Sequence, residues 1–161
     1  MSAKPSEKNR RILHFLKQHK TGVLATVDPN GMPNTAVIYY AIDDDFVVTF
    51  LTKTGTKKHD NLSHITYATL LVYDEANQIT AQVIGRAHEM PTAAQGAFEN
   101  AIKASVETSE SGIPPISKLI AGDYVAYQLK PVSVRMAVYS RPDPGDYETI
   151  FETIEQPDLD S

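Results

Sequence analysis

The sequence predicts a mainly β protein, an antiparallel barrel of Greek-key type with peripheral helices. Three observations carry that expectation. Seven apolar runs rich in Val, Ile, Thr and Tyr can be counted along the chain. Most of the links between them are short and built from Asp, Asn, Gly and Pro. Too few helical patterns intervene for the alternating order of a doubly wound sheet, so the strands must pair with neighbours and curl.

The elements follow in order. Ser6 caps a helix through about Gln18, with Glu7 in its first turn and Ile12, Leu13, Phe15 and Leu16 on one face. GVLATV (22–27) reads as a buried strand and DPNG (28–31) as a hairpin turn, with Gly31 supplying a positive φ. NTAVIYYAI (34–42) returns, Asp43-Asp44-Asp45 turns again, and FVVTFLT (46–52) is the third strand. A short helix is expected from about Thr56 to His64. YATLLVYD (67–74) and QITAQVIGRAHEM (78–90) make another hairpin. Pro91 and Thr92 open a helix through about Glu107, followed by a loop at 109–115 and a helical turn near 116–120. DYVAYQLKP (123–131) and VSVRMAVYS (132–140) are read as two closing strands.

A chain of 161 residues supports one well-buried core. The single domain is placed at 1–140 and an acidic tail at 141–161. Within that tail Tyr147, Ile150, Phe151 and Ile154 recur at helical spacing, which predicts either a short amphipathic helix or a frayed terminus. The net charge of −5 belongs to the tail, which carries seven acids and one base, while the body is near neutral. No basic stripe with interleaved aromatics marks a nucleic-acid binder. No apolar run is long enough for a membrane span and no apolar stretch follows the basic N-terminus, so a cytoplasmic location is expected. Without cysteine there is no disulfide, thiolate metal site or thiol nucleophile.

The stretch TKTGTKKHDNL (52–62) is the chemical anomaly. It lacks the spacing of a nucleotide P-loop. Lys53-Thr54-Gly55 matches one element of the serine penicillin-recognising enzymes, but their S-x-x-K occurs nowhere in the chain. Lys57 and Lys58 fall in the first turn of the expected 56–64 helix, where the macrodipole disfavours cations. With Thr52, Thr56 and the free N–H groups of that turn they form a donor set suited to a phosphate. The bland alternative is two solvated lysines. His59 and His64, like His14 and His19, are five apart and diverge on a helix, and His88-Glu89 lacks a second histidine, so no metal site is expected. No nucleophile–base–orienter set emerges, leaving the catalytic residues unassigned. If the protein is an enzyme, a cofactor carries the chemistry.

The succession GVLATVDPNGMPNTAVIYY, FVVTFLTKTGTKKHDNL, YATLLVYD and AQVIGRAHEM resembles the FMN-binding split-barrel family related to pyridoxamine 5′-phosphate oxidase, in its short, general-stress-protein-like members. The resemblance implies FMN at the interface of a homodimer, with a small-molecule substrate. It places Thr56, Lys57 and Lys58 on the phosphate, Leu51 and Thr52 at the strand end, and Lys53 outside the cradle. The run Thr35-Ala36-Val37-Ile38-Tyr39-Tyr40 would lie along the flavin, and Thr80 would approach from a neighbouring strand. Flavin-dependent oxidoreduction is the implied activity. Relatives that bind the deazaflavin F420, or that carry flavin or haem without catalysis, share the fold. Where the vitamin-making oxidases have arginine and lysine at the ends of the 35–40 run, this chain has Thr35 and Tyr40, and it contains no tryptophan. Oxidation of pyridoxamine 5′-phosphate is therefore not expected.

Overall fold

The computed structural model describes residues 6–92, 94–96, 100, 122–140 and 150–155. Helix α1 (Glu7–Gln18) begins where Ser6 Oγ accepts the Asn9 N–H at 3.1 Å, and buries Ile12, Phe15 and Leu16. Strands β1 (Thr21–Val27), β2 (Pro33–Ile42) and β3 (Val48–Lys53) follow as a meander. Helix α2 (Lys57–His64) leads to β4 (Tyr67–Asp74), which pairs with β1, the first strand of that meander. This return is the Greek-key connection. Strand β5 (Ile79–Glu89) pairs with β4, and β6 (Tyr124–Val138) pairs with both β5 and β3. The six strands thus close into an antiparallel barrel.

Alternation fills it. Leu24, Ile38, Phe50, Leu70, Val72, Val83, Leu129 and Val134 point inward and are buried, with α1 laid against the same core. Their neighbours along each strand point outward. Val37 and Tyr73 are left 61% and 56% exposed.

Two expectations at the C-terminal end are corrected. The segments 123–131 and 132–140 are one strand, β6, not two. Pro131 looks like a terminator because it lacks an N–H, but it sits where the ladder needs none. The register slips there, with Gly85 opposite Pro131 and Ile84 opposite Ser133, so Val132 is the extra residue of a bulge. Gly85 is required at that bulge, since a Cβ would stand 2.0 Å from the Lys130 carbonyl oxygen. The second correction concerns the tail. Phe151–Glu155 is a seventh strand, β7, paired with Ser133–Ala137 of β6, rather than a continuation of the helical stripe. Strand β3 covers only the first half of β6, and the open edge of the second half captures whatever extended segment reaches it. Ile154 is fully buried there, while Lys8 Nζ donates to the Thr153 carbonyl at 2.8 Å and Arg11 pairs with Glu152 at 2.8 Å. The tail strand is therefore a seventh strand added to the sheet alongside the second half of β6. Tyr147, the loop at 109–115, the turn at 116–120 and most of the helix expected over 92–107 lie outside the described residues.

Candidate functional site

Strand β3 delivers its last residues to the start of α2 through a tight turn, with Gly55 at φ 81°. Thr52 points into the barrel and is fully buried, and its Oγ1 lies 2.8 Å from Thr56 Oγ1. Thr56 is the N-cap of α2. Its hydroxyl donates to the Lys53 carbonyl at 2.8 Å and receives the His59 N–H at a long 3.4 Å. Because the Thr56 proton is committed, Thr52 must donate to Thr56. Both hydroxyls are thus spent within the turn, and each would have to rotate to serve an anion.

The free donors lie one residue further on. Among the described residues nothing accepts from the N–H groups of Lys57 and Lys58, as expected for the first turn of a helix. The Lys57 ammonium leans toward Asp28 at 3.9 Å and is largely exposed. Lys58 differs. It is half-buried, no described carboxylate or acceptor pairs with it, and burial holds its pKa below the usual lysine range. A desolvated ammonium at the positive end of a helix is doubly unfavourable without an anion beside it.

The barrel mouth holds α2 rigidly. Asn61, buried beneath the helix, donates to Thr26 Oγ1 and to Asn34 Oδ1, each at 3.0 Å. On the opposite flank His59 Nε2 faces Glu89 Oε1 at 3.6 Å, and Tyr127 Oη donates to the same oxygen at 3.4 Å. The Tyr127 ring stacks on Phe50 and meets the His59 ring edge-on, 6.3 Å between centroids. Burial and the Glu89 charge push the Tyr127 phenol up to about 12. His59 Nδ1 is buried with no hydrogen-bond partner among the described residues. The sequence brought up His59 and Glu89 only as metal ligands to reject and Tyr127 not at all, because their proximity depends on packing α2 across β5 and β6.

The residues singled out by sequence are placed as follows. Thr52, Thr56, Lys57 and Lys58 come together in the turn. Leu51 points outward, in a small cluster with Tyr39, Met90, Tyr124 and Ala126. Along β2, Thr35, Val37 and Tyr39 face outward, whereas Ala36, Ile38 and Tyr40 face the core. Tyr40 donates its hydroxyl to the Leu16 carbonyl at 2.6 Å and is 5% exposed, so that side chain braces α1. Thr80 is not brought to the turn within one chain. It pairs with Tyr73 and Ala137, twelve residues along β6 from the Val125 that pairs with Thr52. Lys53 lies outside the cradle, yet it is 6% exposed with its ammonium 4.7 Å from the Tyr124 ring centroid. Its environment makes it structural rather than a solvated neighbour. Among the described residues no three metal-ligating side chains converge, and no helix is long and apolar enough to cross a membrane.

A closed Greek-key barrel with a cationic helix start at its mouth is the class of protein that fold and site define. The chain belongs to the pyridoxamine 5′-phosphate oxidase family, whose model matches residues 9–136. No curated protein sequence matches it. Among solved structures it is similar to a heme binding protein from Mycobacterium smegmatis, with a TM-score of 0.67 and 17% identity over 98% of this chain. The chain spans 61% of that protein's length. A pyridoxamine 5′-phosphate oxidase-related, FMN binding protein from Nostoc punctiforme superposes with a TM-score of 0.59 at 17% identity, covering 96% of this chain and 98% of its own. A protein from Clostridium acetobutylicum related to general stress protein 26 of B. subtilis gives 0.66 at 12% identity, covering 94% and 98%. At these identities the likeness is one of fold.

Proposed function

We propose that the protein binds FMN, with the phosphate at the start of α2, and acts as a flavin-dependent oxidoreductase on a small substrate. The observation that carries this reading is Lys58, a half-buried cation with no counter-ion among the described residues, beside two backbone donors that none of them uses. The donor set fits a phosphate dianion: Lys57 and Lys58 supply charge, their N–H groups point out of the helix end, and Thr52 and Thr56 add hydroxyls on rotation. Bound FMN would supply a ring that accepts or donates a hydride. Toward that ring this chain offers the outward side chains Thr35, Val37 and Tyr39 and the backbone of β2, with Leu51 beside Tyr39.

The working unit is a homodimer in this reading. The outer face of β1, β2 and β4 sets Val23 between Val37 and Leu71, an apolar strip that a second copy would cover. Thr80 would then belong to a composite site reached from the partner. Pyridoxamine 5′-phosphate is not the substrate, because Tyr40 is committed to α1 and Thr35 carries no charge.

The test is the spectrum of the purified protein followed by titration with FMN and riboflavin. Flavin absorption near ~450 nm is expected, with FMN bound at least about tenfold more tightly than riboflavin, as loss of one charge-assisted contact requires. Equal affinities overturn the phosphate assignment. A Soret band, or a preference for F420, would reassign the cofactor. Light scattering is expected to give twice the 17.7 kDa chain mass, and a stable flavin-loaded monomer would overturn the shared site. Steady peroxide production from pyridoxamine 5′-phosphate would overturn the substrate exclusion.

A further inference from the structure

The buried Nδ1 of His59 asks what this residue is doing. A histidine in the first turn of α2 meets the same helix end as Lys57 and Lys58, and its ring orientation is not fixed by a hydrogen bond at Nδ1, where Asp60 Oδ1 stands 3.7 Å away outside bonding reach. The ring is held by packing at the other end. Nε2 faces Glu89 Oε1 at 3.6 Å, likewise beyond hydrogen-bond length, and the ring edge rests against Tyr127, itself held by the stack on Phe50 and by the same Glu89 oxygen. The imidazole is therefore interposed between a carboxylate on the rim of the barrel and the helix turn that carries the free donors. A buried polar atom left unpaired is rare enough to need a reason, and functional placement is one of the recognised reasons.

We propose that His59 is a positioning residue for the anion cradle. Wedged between Glu89 and Tyr127, it holds the first turn of α2 so that Lys58 and the two free N–H groups converge, and it keeps the Glu89 carboxylate from acting on the phosphate. The inference rests on the reading of this turn as a phosphate site. Three consequences follow. Loss of the ring weakens the ligand that has a phosphate and spares the one that lacks it. Removal of the Glu89 charge compensates for loss of the ring, which a purely packing role would not allow. A side chain that preserves a donor at the Nε2 position preserves the function.

The experiment titrates FMN and riboflavin into the full-length protein carrying no change, His59→Ala, His59→Gln, or His59→Ala with Glu89→Gln, at one pH and ionic strength. His59→Ala is expected to bind FMN about tenfold more weakly, a loss within the range of one charged contact, with riboflavin within about twofold. His59→Gln and the double variant are each expected to recover to within about threefold for FMN. The inference is overturned if His59→Ala leaves FMN affinity intact, if riboflavin falls in parallel, or if neither companion variant recovers. Should His59→Ala not fold, His59→Asn takes its place, since it keeps a polar group near Nδ1 and loses the one facing Glu89. Lys58→Ala is run alongside. If it leaves FMN and riboflavin equally bound, the phosphate site itself fails and the inference with it; if it separates them and His59→Ala does not, only the role of His59 fails.

Discussion

Helices α1 and α2 begin with the same device and a similar mix of charges, but differ in whether those charges find partners. Each has a hydroxyl N-cap, Ser6 in one and Thr56 in the other, accepting from the third residue of the helix. In α1 the first turn carries Glu7, which suits the positive helix end and reaches Arg11 at 3.7 Å, and Lys8, whose ammonium donates to the Thr153 carbonyl at 2.8 Å. In α2 the first turn carries Lys57 and Lys58, with Asp60 only after them. In the first helix start Glu7 and Lys8 both have partners within the fold. The second holds Lys58 half-buried with no acceptor among the described residues, an arrangement that a bound anion would complete. The helix start with a buried, unpartnered cation is the more informative of the two.

That contrast can be broken most severely at Lys58. Lys58→Met is expected to weaken FMN by roughly ten- to 150-fold while leaving riboflavin unchanged, as titration would show. The same change is expected not to destabilise the protein without ligand and to raise its melting temperature slightly, because burial disfavours the charged amine. The sign follows from linkage. A lysine whose pKa is depressed on folding costs stability in full below that depressed value, and the cost is gone above the ordinary lysine range near 10.4. The gain from Lys58→Met should therefore be present at neutral pH and fade at high pH. A drop in melting temperature at pH 7 would mean that Lys58 has a partner.

Next in size is Thr56→Ala. It removes the cap of α2 and strands the Thr52 hydroxyl, so a loss of about 1–2 kcal/mol is expected in denaturant melts, together with weaker FMN binding. Ser6→Ala is the matched change in α1. It should cost about 1 kcal/mol and leave flavin affinity alone, since only one of the two caps adjoins a ligand. If both caps behave alike in the binding assay, the comparison collapses. The smallest effect is expected from Lys57→Ala, whose exposed ammonium sits 3.9 Å from Asp28. A stability change within about 0.5 kcal/mol, and a loss of FMN affinity well below that of Lys58→Met, would rank the two lysines by burial.

Much of the barrel was legible because its rules are local. Alternation gave the strands, and Asp28 confirms the hairpin by accepting the N–H groups of Asn30 and Met32, each at 2.9 Å. The errors arose where a distant partner decides. Pro131 reads as a stop until Gly85 is seen opposite it, and Ile150 to Ile154 reads as a helical stripe until the free edge of β6 is known. The site divides in the same way. Thr52, Thr56, Lys57 and Lys58 were visible because they are contiguous. The burial of Lys53, the inward turn of Tyr40 and the meeting of His59 with Glu89 and Tyr127 were invisible, since each depends on an element far along the chain.

Strand β6 serves β3, β5 and β7 at once, and it is made late. Its first residue, Tyr124, pairs with Lys53, about seventy positions earlier in the chain. On a ribosome adding about 5–20 residues per second, β3 waits roughly 4–14 s for that partner. During the wait Val48, Phe50 and Leu51 lie on an unclosed edge, the kind of surface that chaperones hold and aggregates recruit. Closure is thus an event in time as well as a shape. Codon choice or a slowed ribosome between residues 53 and 124 would govern how much of the newly made chain reaches the barrel before it meets another copy of itself.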